Sequence, residues 1–408
     1  MNLLQPSDHV VVVGAGVAGW RFVEALRREG YEGAITLAGD ETHPPYDRPP
    51  LSKQVLSGKW EVDKTLLATP ELLEKMEVTL RLGVRATALD VASSTVRLAD
   101  GSSITGTHVV IATGARARQL AFSAGESLHT LRTRDDVSSL NHHLSSLAPG
   151  SAVGVIGGGF IGAEVATALH QRGFAPIVLE AAERPLINVL GPEVSSWLVG
   201  LPASAGVELR NDQRISDVVE SDGTFTISFA DGSEIQVGAV VVGAGAVVND
   251  EWLATSGLAL DNGVVVDENL LAADQVAAIG DVARFSWPSV TGTELVRIEH
   301  WQVATDHAHE LARYWTYGDG MANLVVPYFW SDQYAKKIQL LGHPRPSDDV
   351  LRVSGSDEEA KWLALYSRDG VVTGVVTLSQ PRRLMLSKGL LEVPTTLDAA
   401  LRDTPWSG

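Results

Sequence analysis

The chain has no cysteine among its 408 residues. No thiol nucleophile, disulfide relay, cysteine-ligated iron–sulfur cluster or cysteine-based zinc site can therefore be built from it. It also lacks an apolar run of about 18 residues, the length of a membrane-spanning helix. Base is short relative to acid: 32 Lys and Arg stand against 50 Asp and Glu, a formal charge of −18. Such a field repels a phosphate backbone and argues against nucleic acid as a partner. The histidines form no metal pattern, since His307 and His309 are two apart rather than the four that align two ligands on one helix face. The opening MNLLQPSDHVVVVG runs into an apolar strand without a basic leader, so the expected location is the cytoplasm, with no membrane attachment.

Glycine, in contrast, is abundant and patterned. VVVV at 10–13 reads as a buried strand, 17–29 as an amphipathic helix and AITLA at 34–38 as a second strand. Between the first strand and the helix lies Gly14-Ala15-Gly16-Val17-Ala18-Gly19, a G-x-G-x-x-G turn. The first glycine permits the tight turn, the second lets a pyrophosphate approach, and the third lets helix pack on strand. The helix N-terminus then offers free N–H groups to phosphate. Asp40, 21 residues after Gly19, ends the next strand, where a carboxylate can accept from a ribose hydroxyl.

The same grammar returns at 153–156, 160–172 and 175–179, with Gly157, Gly159 and Gly162 in the turn and Glu180 closing the strand. Glu180 would accept from the adenosine 2′-hydroxyl and repel a 2′-phosphate, which favours NADH over NADPH, with Arg184 as the cation that could still reach a phosphate. Each unit is followed by a hairpin carrying ADGS, at 95–114 and 224–245, and then by an apolar strand. From Leu324 onward the pattern changes to alternating strands (361–378) and a helix near Leu397. The expected fold class is α/β, two Rossmann-like doubly wound nucleotide-binding domains followed by a C-terminal α+β domain. Two intact turns imply two dinucleotides held at once, one passing electrons to the other.

Three further stretches, THPPYDRPPLSK (42–53), VVIATGARAR (109–118) and VAAIGDVARF (276–285), together with both turns, resemble the two-dinucleotide flavoprotein reductases. The first of them, with RIEHWQVA (297–304) and PYFWSDQYAKKIQLLG (327–342), is similar to the NADH-dependent ferredoxin reductases of bacterial oxygenase systems, the putidaredoxin reductase and rubredoxin reductase group. That resemblance implies a glutathione-reductase-like architecture in which one nucleotide domain is nested in the other. The FAD domain would comprise 1–117 and 246–324, the NAD domain 118–245, and the C-terminal domain 325–408.

It also implies roles. FAD would meet Gly14, Gly16, Ala18 and Gly19, with Asp40 on its ribose, and Arg48, Lys53, Ala86, Arg132, Asp281, Trp301 and Trp330 along its length. NAD would meet Gly157, Gly159, Phe160, Ile161, Gly162, Glu164 and Glu180, with Gly243, Ala244 and Gly245. Lys53 and Glu164 would be the catalytic pair beside flavin and nicotinamide. Electrons would leave singly to a two-iron ferredoxin, or to a rubredoxin in the alternative; a redox sensor with little turnover, like apoptosis-inducing factor, is the reading from another class. A quinone-reducing dehydrogenase is disfavoured by the want of an amphipathic C-terminal helix. Monomer and dimer both remain open.

Each residue also has a plainer reading. Lys53 could be a solvated surface lysine in a proline-stiffened loop, Glu164 an anion favoured near a helix N-terminus, and Asp281 the cap of a following helix. Trp301 and Trp330 could simply pack. His142 and His143 read as solvent-facing, and His300 as a residue at the flavin edge without acid–base work. Lys336, Lys337, Arg345, Arg382, Arg383 and Lys388 form a candidate basic docking face. Two departures from the family pattern, Val248 for proline and Ala335 for glycine, bear on local loop shape.

Overall fold

The computed structural model describes residues 3–289, 292–319 and 326–407. The chain forms two compact units, one of Met1–Asp47, Leu66–Arg116 and Val247–Tyr328, the other of Arg48–Thr65, Ala117–Ala246 and Phe329–Gly408. The expected domain boundary at 324/325 lies outside the described residues.

In the first unit, the valines of His9–Val13 sit at the centre of a six-stranded sheet. Its strands run, in spatial order, 271–273, 276–278, 108–111, 9–13, 34–38 and 78–81. All neighbours pair in parallel except the first two. Val10, Val11 and Val12 are fully buried, as a strand covered on both faces requires. Helix Val17–Arg28 buries Trp20, Phe22, Val23 and Leu26, spaced at helical intervals. Each such side chain contributes roughly 1.5–3 kcal/mol on burial. Helix Trp301–Tyr317 packs against it, with Phe22 and Trp315 meeting edge to face at 5.6 Å, and ends at Gly318 in the left-handed region.

The second unit repeats the plan. Strands 208–210, 175–179, 152–156, 239–242 and 129–130 form a parallel sheet, crossed by helix Phe160–Gln171. Both βαβ units thus form where the glycine pattern placed them, their ends moving by a single residue. Each also carries a three-stranded antiparallel sheet, 86–90/95–98/103–105 in one and 215–221/224–229/234–237 in the other, where the ADGS hairpins were expected.

The second unit also includes a five-stranded antiparallel sheet, in the order 328–333, 336–342, 371–378, 361–368 and 349–356. It rests on helix Ile187–Leu198: Tyr366 donates to the Leu190 carbonyl at 2.7 Å, and Trp362 meets Trp197 edge to face at 5.2 Å. That helix kinks at Gly191, whose φ of +78° and close approach to the Pro346 carbonyl exclude a side chain.

The stretch expected as a stiff loop around Lys53 is instead a helical turn, Leu51–Val55. Its N–H groups reach back five residues, Val55 to the Pro50 carbonyl at 3.0 Å and Leu56 to Leu51 at 3.1 Å. Such widened turns gather at functional sites. Arg172 donates to the Leu56 carbonyl at 3.1 Å, and Arg134 meets Asp63 at 2.5 Å, tying this segment to the second unit.

Candidate functional site

The two glycine turns share one division of labour. Gly14 and Gly157 have φ of +120° and +104°, and a Cβ at either would lie 2.1 Å from the Ala112 carbonyl oxygen or 2.6 Å from that of Gly243. A Cβ on Gly19 or Gly162 would lie 2.0 or 1.9 Å from the carbonyl oxygen of Gly14 or Gly157. These four glycines are forced by the protein's own packing. Gly16 and Gly159 are not. Their φ values, −81° and −75°, suit any residue, and a Cβ at either meets nothing within 4 Å. Both helices that start there lack a side-chain cap and carry no acid in the first turn, unlike the threonine-capped helix Arg134–Ser146. Open space, free N–H groups and a positive helix end fit a pyrophosphate at each turn.

The acids behave differently. Asp40 is exposed and meets Arg85 at 3.2 Å. Glu180 folds back on its own turn, where its Oε2 accepts from the Gly158 N–H at 2.6 Å and its Oε1 from the Ala182 N–H at 2.8 Å. A carboxylate has about four lone-pair sites, so capacity for a ribose hydroxyl remains. Arg184 is engaged by Glu183 at 2.6 Å and donates to the Pro192 carbonyl at 3.2 Å.

Lys53 and Glu164 meet within the second unit. Lys53 Nζ lies 2.7 Å from Glu164 Oε2, with side chains 13% and 3% exposed. The same oxygen accepts from Ser52 Oγ at 2.6 Å, while Oε1 accepts from Ser331 Oγ at 2.6 Å. Lys53 also donates to the Pro49 carbonyl at 3.2 Å. A solvated surface lysine and a free helix-end anion are thereby both excluded. An ion pair taken so far out of water persists only with such extra hydrogen bonds.

The other residues named from the sequence divide between the units. In the first unit, Ala86 is buried at the start of its strand, and Asp281 lies in the turn Gly280–Val282. That turn leads into a strand starting at Ala283, not into an α-helix, so the capping reading fails. Trp301 donates from its indole to Asp47 at 2.7 Å, and Arg21 lies 5.9 Å from its ring. In the second unit, Arg48 donates to the Arg132 carbonyl at 2.8 Å. Phe160 packs on Phe329 at 4.5 Å, Ile161 is 43% exposed, and Trp330 is half-buried. Gly243 approaches Gly162, Ala244 is half-buried, and Gly245 is exposed with positive φ.

One histidine expectation needs correction. His142 is exposed, but His143 turns inward, its Nδ1 2.8 Å from His129 Nε2. Burial first, then the His143 charge, pushes His129 down to about 4. His307, in helix Trp301–Tyr317, is buried and accepts from the Gly280 N–H at 3.3 Å; burial pushes it down to about 4. Among the described residues no helix is long and apolar enough to cross a membrane, and no group of three His, Cys, Asp or Glu could hold a metal.

The model of the pyridine nucleotide-disulphide oxidoreductase family matches residues 8–308, and that of the reductase C-terminal domain matches 328–405. The chain belongs to this family. It is an oxidoreductase, and the family to which it belongs uses FAD and NAD(H). Rhodocoxin reductase of Rhodococcus erythropolis is 36% identical over 96% of the chain and 91% of its own length. The benzene 1,2-dioxygenase system ferredoxin–NAD(+) reductase subunit of Pseudomonas putida is 33% identical over 96% and 94%. Among solved structures, putidaredoxin reductase in its covalent complex with putidaredoxin superimposes with a TM-score of 0.88 at 30% identity, covering 95% of this chain and 94% of that one. With no cysteine, this member of the family lacks the means for disulphide chemistry of its own.

The expected basic face is less free than its sequence suggested. Lys337 pairs with Asp332 at 2.9 Å, Lys388 approaches Glu392 at 3.9 Å and Arg383 donates to Ser354, while Lys336 is half-buried and Arg345 and Arg382 are exposed. Sequence reasoning also missed Ser52, Ser331 and Asp47. All three lie inside stretches quoted for the resemblance, yet nothing in their spacing signals a shared carboxylate or an indole partner.

Proposed function

We propose that the chain passes electrons from NADH through FAD, one at a time, to a small two-iron ferredoxin that feeds an oxygenase or cytochrome P450, and that it does so in the cytoplasm. The observation that carries this reading is the pair of turns whose second glycines face open space, in a chain without any thiol. Relatives named as ferredoxin reductase components of oxygenase systems support it. FAD, when bound, takes up two electrons as hydride and gives them up singly.

The rest is done by the chain's own residues. Under this reading the FAD domain is 1–117 with 246–324, the NAD domain 118–245, and the C-terminal domain 325–408. Gly14, Gly16, Ala18 and Gly19 present backbone to the FAD pyrophosphate, with Asp40 on the ribose. Ala86, Arg48, Arg132, Asp281, Trp301 and Trp330 orient the remainder. Gly157, Gly159, Phe160, Ile161 and Gly162 hold the NADH pyrophosphate, and Gly243 to Gly245 border the nicotinamide end. Glu180 accepts from the adenosine hydroxyls and repels a 2′-phosphate, while Glu183 occupies the Arg184 guanidinium. Lys53, paired with Glu164, sets positive charge where negative charge develops.

Anaerobic titration with NADH tests the reading. The purified protein, loaded with FAD, should bleach with one equivalent of NADH and recolour on addition of a two-iron ferredoxin. Recolouring by rubredoxin alone would reassign the acceptor. A protein that stays colourless with FAD, or bleaches and then reduces neither partner, contradicts the proposal.

A further inference from the structure

The Glu164 carboxylate is a meeting point for three chain segments distant in sequence. The turn Leu51–Val55 supplies Ser52 and Lys53, helix Phe160–Gln171 supplies the carboxylate, and strand Tyr328–Gln333 supplies Ser331. Ser331 is fully buried and Ser52 nearly so, so water does not replace either hydroxyl. Ser331 has its own partner: the Gln333 side-chain amide donates to Ser331 Oγ at 3.2 Å. Strand alternation puts residues 331 and 333 on one face. The serine therefore accepts from Gln333 and donates to Glu164, which fixes its rotor.

A glutamate side chain has three rotatable bonds, and a lysine has four. Lys53 Nζ has the Glu164 oxygen at 2.7 Å and the Pro49 carbonyl at 3.2 Å as acceptors. The lysine is thus only as well placed as the carboxylate. That carboxylate is pinned at Oε1 by Ser331 and at Oε2 by Ser52. Two strands that pack on helix Phe160–Gln171 add no competing charge. Strands 152–156 and 175–179 carry nothing ionisable, and Asp332 is occupied by Lys337.

We propose that Ser331 and Ser52 are positioning residues for Lys53: the two hydroxyls fix Glu164, and the fixed carboxylate fixes the ammonium. The inference deepens the proposed function, since it rests on Lys53 acting beside the flavin. It also assigns the C-terminal sheet a part in that site, through Ser331. Removing Ser331 takes the donor from Oε1, the costly case, while removing Ser52 leaves Oε2 held by Lys53 alone.

The test uses the full-length, FAD-loaded protein labelled with 15N-lysine. The Lys53 ammonium signal is assigned by its loss in Lys53→Met, and its proton exchange with water is measured. Ser331→Ala and Ser52→Ala should each speed exchange by about tenfold, the factor that matches about 1.4 kcal/mol. Ser331→Thr, which keeps the hydroxyl, should stay within about threefold, and Gln333→Met should fall between these. In parallel, Ser331→Ala should slow flavin reduction by NADH about tenfold while leaving NAD+ affinity unchanged. Native exchange in both alanine variants would overturn the inference, and Ser52→Ala decides alone if Ser331→Ala does not fold. Faster exchange with unaltered flavin reduction would uphold the positioning and overturn the role given to Lys53.

Discussion

The two glycine turns are built alike and used differently. In each, packing forces the first and third glycines and leaves the second free of any internal demand. They diverge in what surrounds that frame. The first has Ala15 between its glycines and Gly39 after the next strand, where an added Cβ would sit 2.9 Å from the alanine methyl. The second reverses the sizes, with Gly158 in the turn and Glu180 after the strand, close enough to take the Gly158 N–H. The equivalent helix position carries Arg21 in one and Glu164 in the other. Arg21 is 27% exposed and pairs with Glu24 on its own helix, whereas Glu164 is buried and bound to two other segments. Backbone packing makes the phosphate seat, which therefore repeats, while the side chains just beyond it carry the chemistry and differ.

The largest expected effects separate the forced glycines from the free ones. Gly19→Ala and Gly162→Ala should each cost about 1–3 kcal/mol or more by overpacking against carbonyl oxygens. Gly16→Ala and Gly159→Ala should change stability by less than about 0.5 kcal/mol. Urea denaturation of the four proteins checks the contrast, and equal losses in all four would break it.

A second contrast sets Lys53→Met against Arg21→Met. The first strands a buried carboxylate and should cost about 3 kcal/mol. The second removes a partly exposed pair and should cost under about 1 kcal/mol. The same denaturation experiment ranks them.

Acid should weaken both units, the second through half-buried His129 and the first through buried His307, with His108 lowered by burial as well. The folded pKa of His129 and of His307 is lowered from 6.5 to about 4, so the unfolded chain binds protons first as pH falls. Stability is then lost between about pH 6.5 and pH 4, by about 2 kcal/mol at pH 5 for the buried His307 and by less for the half-buried His129. His129→Gln and His307→Gln should each remove its own share of the difference between pH 7 and pH 5.

The smallest effect concerns Ala335. It and Tyr334, at φ of +56° and +52°, form the two-residue turn between strands Tyr328–Gln333 and Lys336–Gly342. Such a turn favours glycine. Ala335→Gly should raise stability by about 1 kcal/mol.

Much of the architecture was legible because it obeys short-range rules. Val10–Val13 and Val17–Arg28 declare a buried strand and an amphipathic helix by period alone, and the second unit repeats them. The ADGS turns marked both side sheets for the same reason. Proline misled at residues 49 and 50, where a helical turn starts instead of a loop, because proline fixes its own φ and leaves the next residues free to turn either way. Lys53 and Glu164 stood out through resemblance, but Ser52 and Ser331 depend on contacts 112 and 167 residues apart, which no local pattern encodes. His143 was misread because a polar helix does not reveal that its inward face meets His129, on the strand just before it.

The central claim is that the two seats hold different nucleotides, and paired leucine variants at the free glycines test it most directly. Both backbones accept leucine, and neither side chain would strike the protein's own packing near Cβ. Gly16→Leu should yield a folded, colourless protein that does not take up FAD, and Gly159→Leu a yellow protein that NADH no longer bleaches. Two yellow proteins that both bleach normally, or the opposite assignment of the two losses, would contradict the account.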